Sequence, residues 1–238
     1  MDRSRTQLLV GQDGIQKLTL ARVALFGLGG VGGYALEALV RAGIGTIFIF
    51  DHDRFTESNL NRQILATCSS VGMYKTDVAA ERARSINPDV NIIASRERVT
   101  PENAVSIIPA DAGYAIDAID EISSKVSLLA ALAGKGIPLV SSMGSGSKLD
   151  TAGIKIADIA GTTHCPLART VRKKLKALGI ESGIRCVYSE ENLGTTAPPE
   201  QDGGKRLQGT ISYVPGLFGL TAAGAIIREI LENDSSQG

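Results

Sequence analysis

The glycine run Gly27-Leu28-Gly29-Gly30-Val31-Gly32 limits the fold of this chain more than any other feature. It follows Val23-Ala24-Leu25-Phe26, an apolar run that reads as a strand, and leads into Val31 to Arg41, whose apolar spacing is helical. Glycines between a strand and a helix let backbone N–H groups approach a phosphate at the positive end of the helix. A second strand, Thr46 to Phe50, ends at Asp51, 19 residues after Gly32, where a carboxylate accepts hydrogen bonds from ribose hydroxyls. These residues predict a nucleotide-binding βαβ unit. They suit a NAD-dependent oxidoreductase as well as an ATP enzyme, and a turn that only packs helix on strand would share the glycines.

The alternation continues. Lys75 to Ile86 reads as a helix stopped by Asn87-Pro88, Val90 to Ala94 as a strand, Tyr114 to Asp117 as a strand, Ser123 to Lys135 as a serine-capped helix, and Ile137 to Ser141 as a strand. This pattern predicts an α/β, Rossmann-like doubly wound, mostly parallel sheet with helices on both faces and a C-terminal extension of the same domain. At 238 residues, one α/β domain is expected: residues 1–21 as an N-terminal helical segment, 22–143 as the nucleotide-binding half and 144–238 as a C-terminal half. Beyond Gly144-Ser145-Gly146-Ser147, Ile154, Ile156 and Ile159 suggest strands near the sheet edge, and Leu167 to Leu178 an amphipathic helix with Leu167, Val171, Leu175 and Leu178 on its apolar face. Cys186 to Tyr188 reads as a strand. Residues 189–209, with Glu190-Glu191, Pro198-Pro199 and Gly203-Gly204, read as a mobile loop of the kind that serves as a lid.

Thr210 to Ile227 is uncharged, but Pro215, Gly216 and Gly219 interrupt it, so a strand, a turn and a buried helix from about Gly219 to Leu231 are expected in place of a membrane span. Met1-Asp2-Arg3-Ser4-Arg5-Thr6 leads into no apolar run, which argues against a secretory signal and for the cytoplasm. The three cysteines, Cys68, Cys165 and Cys186, form no Cys-x-x-Cys pair, so neither a disulfide framework nor a zinc site is expected. Lys plus Arg and Asp plus Glu both number 25, so a nucleic-acid partner would need a local patch.

The stretch from Asp51 to Gln63 separates the nucleotide readings. A dehydrogenase has no evident need for such polar density after its second strand, whereas a triphosphate needs cations and amide donors. Asn59 can donate an amide hydrogen bond, Arg62 can fork onto phosphate oxygens, and Lys75, following Gly72, opens a helix whose N-terminus also favours an anion. Each residue alone could equally be a solvated side chain.

Five pieces in order, Gly27-x-Gly29-Gly30-x-Gly32, Asp51-x-Asp53, Ser58-Asn59-Leu60-Asn61-Arg62-Gln63, Gly72-x-x-Lys75 and Asp117-Ala118-Ile119-Asp120, resemble the ATP-dependent adenylating enzymes related to ubiquitin-activating enzymes and to the molybdopterin and thiamine activators. The resemblance implies that Asp51 holds the ribose of ATP, that Asn59, Arg62 and Lys75 contact the phosphates, and that Asp120 sits near the α-phosphate and Mg²⁺. It also implies a homodimer in which Arg5 reaches the partner's ATP. In the C-terminal half, Pro166-Leu167-Ala168-Arg169, Cys186-Val187-Tyr188-Ser189-Glu190 and Val214-Pro215-Gly216-x-Phe218-Gly219 look like the tRNA threonylcarbamoyladenosine dehydratases. That branch implies activation of the threonyl carboxylate as an acyl adenylate and ring closure by the carbamoyl group. Arg169, Arg172, Lys173, Lys174 and Lys176 then become a candidate tRNA surface, with Lys205 and Arg206 as helpers.

Alternatives stay open at this point. They are an adenylating enzyme for a ubiquitin-like sulfur carrier, with a carrier or sulfur-transfer protein as partner, a non-catalytic nucleotide-binding regulator, γ-phosphoryl transfer in place of adenylation, and Cys165 or Cys186 as a thioester or persulfide nucleophile.

Overall fold

The computed structural model describes residues 1–191, 201–202, 205–206 and 209–233. Strands β1 (Arg22–Phe26), β2 (Thr46–Phe50), β3 (Asn91–Ser95), β4 (Tyr114–Asp117), β5 (Leu139–Ser142), β6 (Ile154–Asp158) and β7 (Arg185–Ser189) form one sheet in the order β3-β2-β1-β4-β5-β7-β6. All neighbours are parallel except β6, which runs antiparallel to β7 at the edge. The strand order reverses between β1 and β4, where the connections leave in opposite directions and a crevice opens at the carboxyl ends.

The helices are α1 (Ser4–Leu20), α2 (Gly32–Ala42), α3 (Lys75–Ile86), α4 (Ile122–Gly134), α5 (Pro166–Ala177) and α6 (Tyr213–Glu232). The central strands are buried on both faces, so their residues divide by period 2 between two cores. Val23, Leu25, Ile47 and Ile49 join residues of α2, α3 and α6 on one face. Ala24, Phe26, Phe48 and Phe50 join α4 and α5 on the other, where the Phe26 and Phe50 rings stack with centroids 4.6 Å apart.

Most expected elements stand within two residues of their expected ends, and the differences have physical causes. α4 is opened by Glu121 and not by a serine: its carboxylate accepts from the N–H groups of Ser123 (2.9 Å) and Ser124 (2.7 Å). α5 buries Ala168, Val171 and Leu175, while Leu178 caps its end at 59% exposure and leaves the expected apolar face. Within 189–209, β8 (Gln201–Asp202) pairs with β9 (Lys205–Arg206), and most of that expected loop lies outside the described residues, as do the Lys205 and Arg206 side chains.

The largest correction concerns residues 210–219. No strand forms there, and α6 begins at Tyr213. Pro215 stands in the first turn, where its missing N–H would have had no intrahelical partner. Gly216 and Gly219 lie within the helix where α6 crosses α2 too closely for a Cβ. A Cβ on Gly216 would lie 3.0 Å from the Tyr34 ring, and one on Gly219 would lie 2.1 Å from the Val31 carbonyl oxygen. By length and composition α6 could cross a bilayer, but its apolar side is consumed by α2, β5 and α1.

Two glycines of the same helix should therefore respond oppositely to alanine. Gly219→Ala should cost about 2 kcal/mol or more through overpacking, whereas Gly224→Ala, which meets nothing within 4 Å, should add about 0.5–1 kcal/mol of helix propensity. Urea unfolding of both variants checks this pair.

Candidate nucleotide site

The carboxyl ends of β1, β2 and β4 meet where the strand order reverses, and the glycine run bridges them. Gly27 has φ +91° and donates its N–H to the Phe50 carbonyl at 2.8 Å, and a Cβ there would lie 2.8 Å from the Ala118 oxygen. At Gly32 a Cβ would fall 1.8 Å from the Gly27 oxygen, so the loop closes on itself only with glycine at that position. Gly29 is its open side: the nearest atom to a Cβ there is Gln63 Nε2 at 3.9 Å. Gly30 is flanked by the Arg62 carbonyl and by Pro215 of α6.

Asp51 is buried and ties this loop to the end of β2. Its Oδ2 accepts from the Leu28 N–H (2.7 Å) and its Oδ1 from the Asp53 N–H (2.9 Å). A carboxylate oxygen can accept a second hydrogen bond, so these contacts leave acceptor capacity for ribose hydroxyls. Lys75, 6% exposed, is not the free cation that the sequence suggested: its Nζ lies 2.9 Å from Asp53 Oδ2 and 3.9 Å from Asp51 Oδ2. Burial opposes charge on Asp53, yet Lys75, with His52 and Arg98 behind it, holds its carboxyl below the usual range.

Above the loop, Glu57–Asn59 forms a 3-10 turn with Thr56 as its cap. Asn59 Oδ1 accepts from the Thr56 N–H at 3.1 Å, and its Nδ2 end has no partner among the described residues. Arg62 donates to the Ser58 carbonyl (2.8 Å) and Asn61 Oδ1 (2.9 Å) and pairs with no carboxylate among the described residues. Gln63 carried no assigned role in the sequence, although it follows Arg62 directly. It is 6% exposed, and its Oε1 has no hydrogen-bond partner among the described residues.

The turn after β4 holds three carboxylates in different states. Asp117 is fully buried against Lys125, Glu121 caps α4, and Asp120 alone is exposed and unpaired among the described residues. Asp120 thus has the free oxygens that a phosphate-bound cation requires. Hydrogen bonds from Ser124 and Ser123 hold the Glu121 carboxyl at about 2. Its folded value lies below the ordinary 4.5, so its stabilisation is complete above pH 4.5 and is lost as pH falls toward 2. Glu121→Gln should flatten the fall of stability across that window, measured by urea unfolding from pH 5 to pH 2.

Other expected residues lie apart from this cluster. Arg5 is exposed on α1 with no partner among the described residues, and α1 packs on α6. Arg169, Lys173 and Lys176 line a groove of about 400 Å³ with Ala160, Arg172 and Glu181. Arg172 is already committed, donating to the carbonyls of Ile159 and Thr162 and to the Thr162 hydroxyl, so the candidate RNA surface loses its most buried cation. Lys176 forms an exposed pair with Glu181 at 3.2 Å, a contact that solvent weakens. Burial pushes the Cys186 thiol up to about 12, which removes it as a nucleophile at neutral pH. Cys165 is buried at the start of α5.

Comparison with known proteins gives the family and the fold. The ThiF family matches residues 2–237. The tRNA threonylcarbamoyladenosine dehydratase of Bacillus subtilis is 34% identical over 97% of this chain and 94% of its own length. The crystal structure of the Escherichia coli tRNA N6-threonylcarbamoyladenosine dehydratase in complex with ATP superposes with a TM-score of 0.90 at 34% identity, covering 98% of this chain and 95% of that one. A sulfur carrier protein adenylyltransferase of Thermus thermophilus is 38% identical, but over 59% of this chain and 52% of its own. With a match that runs almost from end to end and a glycine loop, polar segment and β4 turn gathered at one crevice, the chain belongs to the ThiF family.

Proposed function

We propose that this protein is an ATP-dependent tRNA threonylcarbamoyladenosine dehydratase that activates the threonyl carboxylate as an acyl adenylate. The observation that carries the reading is a glycine loop held by Asp51 beside the Asn59 Nδ2 donor, an Arg62 guanidinium with no carboxylate partner and an Asp120 carboxylate with no partner, among the described residues. The near full-length likeness to dehydratases supports it, because the likeness to a sulfur carrier protein adenylyltransferase covers a smaller share of the chain.

In this reading residues 22–143 bind ATP and residues 144–238 receive the substrate. Asp51 takes the ribose, with Asp53 beside it, and the loop from Gly27 to Gly32 cradles the phosphates. Asn59 donates a hydrogen bond to the phosphates, and Arg62 and Lys75 neutralise charge as a threonyl carboxylate oxygen attacks the α-phosphorus and pyrophosphate leaves. The carbamoyl group then closes onto the activated carbonyl and AMP departs, for a net loss of water from the nucleoside. Mg²⁺ suits the unpaired Asp120 carboxylate and, when bound, neutralises phosphate charge there. Positioning and charge neutralisation account for the rate in this scheme. Three unpaired thiols accord with a cytoplasmic setting.

The test is to incubate the protein with ATP, Mg²⁺ and tRNA bearing threonylcarbamoyladenosine and to weigh the digested nucleosides. ATP-dependent loss of one water is the expected result. An unchanged nucleoside, with pyrophosphate exchange only when a small carrier protein is added, would move the substrate to the sulfur-carrier class. Arg62→Ala and Lys75→Ala should each cost about 2–4 kcal/mol of transition-state stabilisation, a hundred- to thousand-fold in rate. Turnover within tenfold of the parent would remove that residue from the mechanism.

A homodimer completes the site in this proposal. Leu8 and Leu9 are 84% and 86% exposed beside Arg5 on the first half of α1, an apolar face suited to a second copy of this chain. If Arg5 acts across the dimer, mixing inactive Arg5→Ala and Lys75→Ala proteins should restore roughly a quarter of the parental sites, since half of the random dimers carry one intact site of two. No recovery after subunit exchange would exclude action of Arg5 across the dimer.

A further inference from the structure

The turn that carries Asp120 rests on a buried ionic set that the reaction scheme does not use. Asp117 and Lys125 are both 0% exposed. Asp117 Oδ2 accepts from Lys125 Nζ at 2.5 Å and from the Ser141 hydroxyl at 2.6 Å, Oδ1 accepts from the Ile119 N–H at 3.0 Å, and Lys125 also reaches Ser141 at 3.3 Å. Asp117 and Ser141 are register partners at the carboxyl ends of β4 and β5, whereas Ala115, Ile116, Leu139 and Val140 below them are apolar. The polar set is thus confined to the rung directly beneath the crevice.

Removing two charges from water costs several kcal/mol each, and well-packed apolar residues of similar volume commonly replace a buried pair at no loss of stability. Stability alone is therefore a weak reason for this set. Its geometry does something an apolar pair could not. It joins α4 through Lys125, β5 through Ser141 and the turn through the Ile119 N–H, while the Ala118 N–H donates to the Phe26 carbonyl at 2.8 Å and the Ala118 carbonyl packs under Gly27. The turn is pinned on each side of Asp120, by Asp117 before it and by the Glu121 cap after it.

We infer that Asp117, Lys125 and Ser141 are positioning residues for the reaction, which aim Asp120 by fixing the turn from Ala118 to Asp120. The inference rests on the reaction proposed above. Its mark is coupling: removal of the network should matter only while Asp120 is present to be aimed.

The experiment compares the parent with Asp117→Leu/Lys125→Met, Asp120→Asn and their combination, all as the full chain, after circular dichroism and melting show each to be folded. The double replacement should lower kcat by about 30-fold or more and raise the half-saturating Mg²⁺ concentration, with KM for the modified tRNA within about threefold of the parent. The combination should fall no more than about threefold below the worse of its components, the sign of one shared function. Ser141→Ala should lose about five- to tenfold in kcat, and Ser141→Thr, which keeps the hydroxyl, should stay near the parent. These milder variants decide the matter if the double replacement does not fold. A folded double replacement with kcat within threefold of the parent, losses that multiply with Asp120→Asn, or equal behaviour of Ser141→Ala and Ser141→Thr would each overturn the inference. If the parent itself leaves the nucleoside unchanged, the proposed substrate has failed; the same cycle is then read in the Mg²⁺ dependence of ATP binding, with the same outcomes on either side.

Discussion

The carboxylate of Asp51 is the tie on which the crevice depends. β1 and β2 are already parallel neighbours, but parallel pairing fixes only the strands and leaves the loops beyond them free. Two hydrogen bonds accepted by Asp51, from the Leu28 N–H on one loop and the Asp53 N–H on the other, remove that freedom. The Gly27 N–H adds a third link to the Phe50 carbonyl. Asp53 in turn reaches Lys75, so one short chain of contacts runs from the glycine loop through β2 to the start of α3. A ligand that enters meets a frame already assembled, and little ordering cost remains to be met on binding.

The electrostatics of the frame are divided by function. Charges that hold structure are paired around buried groups: Lys125 with Asp117, and Glu37 with Arg41 and Arg82. Arg62, Asn59 Nδ2 and Asp120, the groups proposed to meet the ligand, have no ionic partner among the described residues. This separation lets the fold tolerate an anion at the loop without breaking the contacts that hold it in place.

The sheet was largely legible in the sequence because β-branched and aromatic runs between turn residues have few alternatives in a doubly wound fold. The glycine loop, Asp51 and the polar segment could be read for the same reason, since their spacing follows from strand and helix lengths. What escaped depends on contacts between distant residues. Pro215, Gly216 and Gly219 look like helix breakers, yet Pro215 stands in the first turn of α6, and Tyr34 and the Val31 carbonyl explain why glycine stands at the other two positions. Arg172 reads as one of several surface cations until the carbonyls of Ile159 and Thr162 appear beside it. Lys125 gives no local sign of burial, because its partner Asp117 lies on another element and Ser141 on a third.

The contact of α6 with the glycine loop also bears on how the protein is made. Pro215 packs beside Gly30, and Gly219 against the start of α2. During translation the glycine loop leaves the ribosome long before the helix that backs it. A nascent chain can pair β1 with β2 and form the Asp51 contacts early, yet the wall behind the loop is missing until α6 has been synthesised. The surroundings of the glycine loop are therefore complete only once α6 has been made.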